Sequence, residues 1–368
     1  MRVTIVGGGL IGLLSALALH DAGASVQLLE RGRLGQEASW AGGGILWPLY
    51  AWRYPPAIQR LAAHGVAAYP ALAGRLQRET GIDVELTVSG MLILDAAERA
   101  AAEAWADAAG RPAQWLTAAE LSSREPALQV PEAGATRLPD VAQLRNPRLI
   151  RALGSYLRQR GVTVHERTPV TALVAAGERI EAVRVPQGEL AVGDALVIAA
   201  GAWSAGLAPP AARLQSRPVR GQMLLLQTAP ATLRHMLIHR GHYAIPRRDG
   251  SILFGSTMEA VGFDGRPTAA AGARLLANAQ ALLPALDAGR LRAQWAGLRP
   301  GSADDLPVVG RHPAVANLWL NTGHLRNGVA MAPAAAELLV ALMHGRAPRV
   351  DPAPYAPGAM ESGAALPL

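Results

Sequence analysis

The chain has 368 residues, half of them hydrophobic and 17% charged, enough to bury a large core and too apolar for disorder. It holds no cysteine and no lysine, all 35 basic residues being arginine; disulfides, thiolate metal sites, a sulfur-tethered flavin, a pyridoxal Schiff base and a lysine-bearing phosphate loop are thereby excluded. The net charge of +7 invites nucleic acid, yet no run of five basic residues occurs and aromatics are only 4%, so neither a phosphate-tracking patch nor a base-stacking platform is expected.

The N-terminus reads MRVTIVGGGLIGLLSALALHDAGASVQLLER. Met1 leads directly into a strand with no basic head or apolar leader, so the cytoplasm is the expected address. Val3 to Val6 suit a buried parallel strand, Leu10 to Ala22 an apolar helix closed by Gly23, and Val26 to Leu29 a second strand ending at Glu30. Between the first strand and the helix, Gly7, Gly9 and Gly12 stand in G-x-G-x-x-G spacing. Gly7 permits the tight turn, Gly9 lets the backbone approach a pyrophosphate, and Gly12 lets helix pack on strand. The helix N-terminus offers unpaired N–H groups to phosphates, and Glu30 can accept from a ribose hydroxyl. This is a dinucleotide-binding unit, and by itself it does not separate NAD from FAD.

A second glycine run, Gly42 to Gly44, follows in GQEASWAGGGILWPLY, where small side chains let main chain pass close to a flat ligand. Residues 57–80 read as helical, with Pro70 starting a new segment. A strand is expected over 90–95 and a helix over Ala96 to Ala109. Thr117 with Glu120 forms a capping box, and Asn146-Pro147 open a helix to about Arg160. Strands follow over 162–165, 169–174 and 180–185, then a buried strand in DALVIAAGAWSAGL ends at Ala200-Gly201. Alternating segments over 217–227, 242–246 and 251–256 predict an antiparallel sheet, and 268–283 a helix. The fold class is therefore α/β, α+β overall: a Rossmann-like dinucleotide-binding domain (1–85, 144–215 and 300–368) interleaved with an antiparallel-sheet substrate domain (86–143 and 216–299). No clean linker separates them. No metal is expected, since no His-x-x-x-His pair or carboxylate dyad stands out. No membrane-spanning run is present.

Five further segments carry a likeness. The opening unit with EASWAGGGI, ALVIAAGAWS, YAIPRRDGSILFGSTME, WAGLRPGSADDLPVVGRHP and NTGHLRNGVAMAPAAAELL, in that order, resembles the D-amino acid oxidase family of flavoproteins, nearest to its glycine oxidase branch. The resemblance implies non-covalent FAD, a small amino-acid substrate, O₂ as acceptor and a homo-oligomer, with a tetramer as the family's form. It implies that Gly7, Gly9, Leu10, Ile11, Gly12, Glu30 and Arg31 hold the adenosine and pyrophosphate. Ala38, Ser39, Ala41, Gly42 and Gly43 would line the flavin, Val170 would border the adenine, and Ala200, Gly201 and Trp203 would form the second cofactor turn. His324, Leu325, Arg326, Asn327, Gly328 and Val329 would bring backbone N–H groups and a helix start to the flavin's pyrimidine edge.

The same resemblance implies the catalytic set. Arg299 pairs with the substrate carboxylate, Tyr243 adds a hydroxyl to it, Arg326 is a second active-site arginine, and Met258 lines the pocket. A planar guanidinium grips a carboxylate through two charge-assisted hydrogen bonds, fixing orientation as well as affinity. The activity implied is oxidative deamination of glycine and small amines such as sarcosine or D-alanine, giving glyoxylate, ammonia and peroxide, in the service of thiamine thiazole synthesis. The alternatives are a D-amino acid dehydrogenase or amine oxidase that reduces a quinone, and a flavin module acting on tRNA. Trp47, bulky where a small residue is expected, would narrow the pocket if it faced it.

Overall fold

The computed structural model describes residues 1–209, 214, 217–286, 290–302 and 304–358. The expected domain junction at 215/216 and the last ten residues of the C-terminal segment lie outside them. Two large sheets organise these residues. The first has six strands in the order Val308–Arg311, Leu318–Thr322, Ala195–Ile198, Arg2–Val6, Ser25–Leu29 and Thr163–His165. All its pairings are parallel except that of Val308–Arg311 with Leu318–Thr322.

Parallel strands carry apolar residues on both faces, and here alternate residues serve different cores. Ala195 and Val197 pack into the helical layer, Leu196 and Ile198 against the small three-stranded sheet Ala172–Ala176, Arg179–Val185 and Gly188–Ala191. The helical layer comprises Leu10–Asp21, Pro56–Thr80, Asn146–Gln159 and Gly328–Met343. Thr117 and Glu120 form the expected capping box at the helix Ala118–Arg124.

One expectation fails. Pro70 starts no new segment: a single helix runs from Pro56 to Thr80. Its core face carries Ile58, Leu61, Tyr69 and Leu76, whereas Pro70 is exposed. A proline on the outer face leaves its orphaned carbonyl to water, and packing of the inner face carries the helix through.

The second sheet has eight strands, in the order Leu291–Gly301, Arg217–Gln227, Ser251–Gly255, His242–Pro246, Met236–His239, Met91–Ile93, Ala135–Leu138 and Gln114–Leu116. It is antiparallel as expected, apart from the parallel pairing of Met91–Ile93 with Met236–Ile238. That pairing joins the two stretches of chain that build the sheet. Leu224, Ala244 and Phe254 point to one face, where Leu275 and Ala279 of the helix Ala269–Leu282 cover them. Met223, Tyr243 and Ile245 point to the other, in a cluster with Trp47 and Trp105. No helix among the described residues is long and apolar enough to cross a membrane.

Candidate active site

The cradle begins where the first strand meets its helix. Gly7 has a φ of +114°, and a Cβ there would fall 2.3 Å from the Ala199 carbonyl oxygen; a Cβ on Gly12 would fall 1.9 Å from the carbonyl oxygen of Gly7. Neither position admits another residue, and the close approach aims the helix Leu10–Asp21 at the turn. The Leu10 N–H donates to Ser39 Oγ at 2.9 Å, and the remaining first-turn N–H groups have no partner within the helix. Glu30, nearly buried, accepts from Gly8 N–H and from Gly32 N–H, each at 2.7 Å. Each carboxylate oxygen keeps a lone pair for a further donor.

A cavity of about 450 Å³ extends from this turn to Arg299. Its wall includes Gly7, Gly9, Leu10, Ile11, Glu30, Arg31, Ala38, Ser39, Gly42, Val170, Ala200, Gly201 and Trp203 from the sequence-derived cofactor set. From the C-terminal segment it includes His324, Leu325, Arg326, Gly328 and Val329. Four members of the set lie just behind the wall. Gly12 packs under Gly7, Ala41 accepts from Trp295 Nε1–H at 3.1 Å, Gly43 lies against Tyr243 and Ile245, and Asn327 caps the last helix. The Arg31 guanidinium lies 3.4 Å over the Trp203 ring and pairs with Glu37.

Two polar side chains at this wall carry atoms without a partner among the described residues. His324 is 2% exposed, neither ring nitrogen is hydrogen-bonded, and burial pushes its pKa down to about 3, so it is neutral. Asn321 donates to Ser15 Oγ at 3.0 Å, but its Oδ1 is unpaired. Buried polar atoms without partners are costly, and a polar ligand in this cavity would supply them. A glycine turn, a helix start, an acid and unpaired wall groups together fit a dinucleotide.

The far end is cationic. Arg299, on the strand Leu291–Gly301, donates to Ser256 Oγ at 2.7 Å, to the Thr257 carbonyl at 3.1 Å and to Met258 Sδ at 3.2 Å. All three acceptors are neutral, and among the described residues no carboxylate pairs with it. Burial holds its pKa below the ordinary arginine value and neighbouring Arg326 adds to this, whereas Tyr243 favours the charge. Arg326 makes no hydrogen bond or ion pair among the described residues. Tyr243 directs its hydroxyl toward Met223 Sδ at 3.7 Å. The structure thus gathers Arg299, Arg326, Tyr243 and Met258 at one place: two unneutralised guanidiniums, a phenol and a thioether. Such a site takes a small anion, above all a carboxylate.

Sequence reading assigned no role to three neighbours. Ser256 and Thr257 lie in the quoted stretch ILFGSTME, yet nothing local marks them as partners of a strand more than forty residues away. Gly221 is clearer: the Arg299 guanidinium lies across it, and a Cβ there would fall 2.2 Å from Nη2. A glycine inside the alternating run of 217–227 was its only signal. Trp47 is buried against Trp105, ring centroids 5.9 Å apart, with the Arg111 guanidinium 3.7 Å above it. It belongs to the apolar cluster that contains Tyr243, not to the cavity wall.

The model of the FAD dependent oxidoreductase family, DAO, matches residues 2–342. The glycine oxidase of Pseudomonas aeruginosa is 47% identical over 358 residues, covering 97% of this chain and 98% of that protein. The bifunctional protein ThiO/ThiG of Trichormus variabilis is 31% identical over 343 residues, covering 92% of this chain and 52% of that protein. Among solved structures, the glycine oxidase of Geobacillus kaustophilus superposes with a TM-score of 0.87 at 30% identity, covering 97% of this chain and 98% of that one.

Proposed function

The chain belongs to the DAO family of FAD-dependent oxidoreductases and is an FAD-dependent amino acid oxidoreductase, and from that premise we propose that it oxidises glycine and comparably small amines at the Arg299 end of the cavity. The observation that carries this reading is a half-buried guanidinium, laid across Gly221, whose hydrogen bonds all go to neutral acceptors. Bound FAD supplies the chemistry of accepting a hydride from the substrate α-carbon. The chain's own groups bind and orient. Gly7, Gly9, Glu30 and the start of the helix Leu10–Asp21 would hold the dinucleotide, and Gly42, Gly201 and the 324–329 segment would border its ring system.

Arg299 takes the substrate carboxylate in a forked pair, Tyr243 adds its hydroxyl, and Arg326 adds a second positive charge. Fixing one end of so small a molecule fixes its α-carbon as well, and orientation of this kind lowers a barrier without any acid or base. The two guanidiniums also repel the substrate's ammonium, lowering its pKa and favouring the neutral amine from which hydride leaves. The imine product would hydrolyse to glyoxylate and ammonia, with O₂ as the proposed final acceptor and peroxide its product. We place the product upstream of thiamine thiazole assembly, a reading supported by the likeness to the ThiO/ThiG protein. We take the two large sheets as cores of two interleaved units: 1–85, 144–215 and 300–368 for the cofactor, 86–143 and 216–299 for the substrate.

Anaerobic mixing with glycine tests the reading. The visible absorbance of the oxidised flavin is expected to bleach and to return on admitting O₂, with peroxide released. Bleaching by D-alanine alone, with return only on adding a quinone, would replace it.

A further inference from the structure

Arg247 follows the strand His242–Pro246 and is 8% exposed. Its Nη2 donates to the Gly43 carbonyl at 2.7 Å, and its Nη1 to Gln143 Oε1 at 2.8 Å and to the Leu144 carbonyl at 3.0 Å. Its Nε is buried without a partner, and among the described residues no carboxylate forms an ion pair with it. Burial pushes its pKa down to about 10. For stability alone this is a poor arrangement. A buried cation whose hydrogen bonds all go to neutral acceptors forfeits its hydration, and the nearby carboxylates of Glu85 and Asp249, which pair with Arg145 instead, compensate only in part, so an apolar side chain of similar volume would cost less.

What the guanidinium joins explains it better. Gly43 sits between Gly42, which borders the cavity, and Gly44, whose carbonyl accepts from Leu144 N–H at 2.9 Å. A Cβ on Gly43 would lie 2.7 Å from Ile245 Cδ1 and 3.3 Å from Tyr243 Cε2, so this peptide rests directly on the strand carrying Tyr243. Arg247 emerges from the end of that same strand and grips the same peptide from its carbonyl side. One side chain therefore pins the glycine loop, the 143–144 segment and the Tyr243 strand together.

We propose that Arg247 is a positioning residue: it locks the cofactor-side loop 42–44 in register with the Tyr243 strand, so that the cofactor's ring and the substrate's α-carbon meet at a fixed separation. This rests on the FAD and glycine readings above. The substrate's carboxylate is held by Arg299, to which Arg247 makes no contact. Substitution is thus expected to spare carboxylate binding while harming cofactor affinity and the rate of reduction.

Arg247→Lys and Arg247→Met holoenzymes, with the wild type beside them, provide the test. Three quantities are measured: FAD affinity of the apoprotein by flavin fluorescence, acetate affinity from perturbation of the flavin spectrum, and the limiting rate of anaerobic reduction by glycine. Lysine keeps the charge and one of the three contacts, so acetate is expected to bind as in the wild type. The limiting reduction rate is expected to fall by about tenfold, and by up to about a hundredfold in Arg247→Met, as loss of alignment on this scale does. FAD affinity should fall in the same order. A folded Arg247→Lys with wild-type FAD affinity and reduction rate would overturn the proposal, whether or not Arg247→Met folds. Loss of acetate binding in proportion to the rate would overturn it too, since that marks collapse of the whole site. Should glycine fail to reduce the wild type, the substrate reading falls, and FAD affinity in Arg247→Lys alone decides for or against Arg247.

Discussion

Gly221 makes the position of Arg299, the proposed substrate clamp, depend on a side chain that is missing. The Arg299 guanidinium occupies the space a Cβ would need, 2.2 Å away, while Ser256 Oγ and the Thr257 carbonyl fix its donors. Gly221→Ala must displace the guanidinium or bend the strand, and a displaced fork no longer offers two parallel hydrogen bonds to a carboxylate. The expected result is a raised KM for glycine with the flavin absorbance intact. Arg299→Ala removes the fork altogether and is expected to cost about 1.5–3 kcal/mol in kcat/KM, the usual range for a lost charged hydrogen bond. Steady-state kinetics on the yellow proteins check both, and a wild-type KM in Arg299→Ala would remove the clamp. The place of Arg299 at the cavity was legible because GLRPG carries a family likeness in five residues. Gly221, Ser256 and Arg247 were not, because their meaning lies in partners far along the chain, which no window of sequence contains.

At the scale of elements, legibility followed the range of the forces. The unit from Arg2 to Leu29 was readable because a β-branched run, a glycine turn, an apolar helix and its closing Gly23 are local signals. The strand Met91–Ile93 was readable as an apolar run within 90–95, but its parallel pairing with Met236–Ile238 was not, and Gln114–Leu116, with three residues, is too short to show a period. Helix Pro56–Thr80 is the opposite case, where a strong local signal was overruled: Pro70 predicts a break, and burial of Ile58, Leu61, Tyr69 and Leu76 on one face outweighs it. The proline still removes one helical hydrogen bond and crowds the carbonyl of Val66. Pro70→Ala, on the exposed side, is therefore expected to stabilise the protein by about 1–2 kcal/mol, the helical gain less the entropy proline takes from the unfolded chain. A higher denaturant midpoint with unchanged flavin reduction would bear this out. Lower stability would show that the helix needs the proline's bend for its packing against Gly328–Met343.

Across the whole molecule, the cavity draws its walls from the first strand, the middle of the chain and the C-terminal helix, so cofactor binding and folding are thermodynamically linked. His324 makes part of that linkage measurable. Its folded pKa of about 3 lies below the ordinary histidine value of 6.5. The unfolded chain therefore binds a proton as pH falls through 6.5, while the folded protein declines it until about pH 3. Stability is lost over that window, by at most about 1.4 kcal/mol per pH unit from this one group, and is fully recovered above it. His324→Gln cannot titrate, so the difference in unfolding free energy between apo wild type and apo variant should shift in the variant's favour on going from neutral pH to pH 4. Carboxylates titrate in both proteins and cancel in the difference. Denaturant unfolding at several pH values measures it, and a difference independent of pH would mean that the imidazole finds a proton or a partner in the folded state. FAD binding gives a second check. Over about pH 4–6.5 the folded ring is already neutral, so once the unfolded fraction is accounted for, wild-type FAD affinity should vary with pH as that of His324→Gln does, and a steeper fall in the wild type alone would mean that the folded ring takes up a proton in that range.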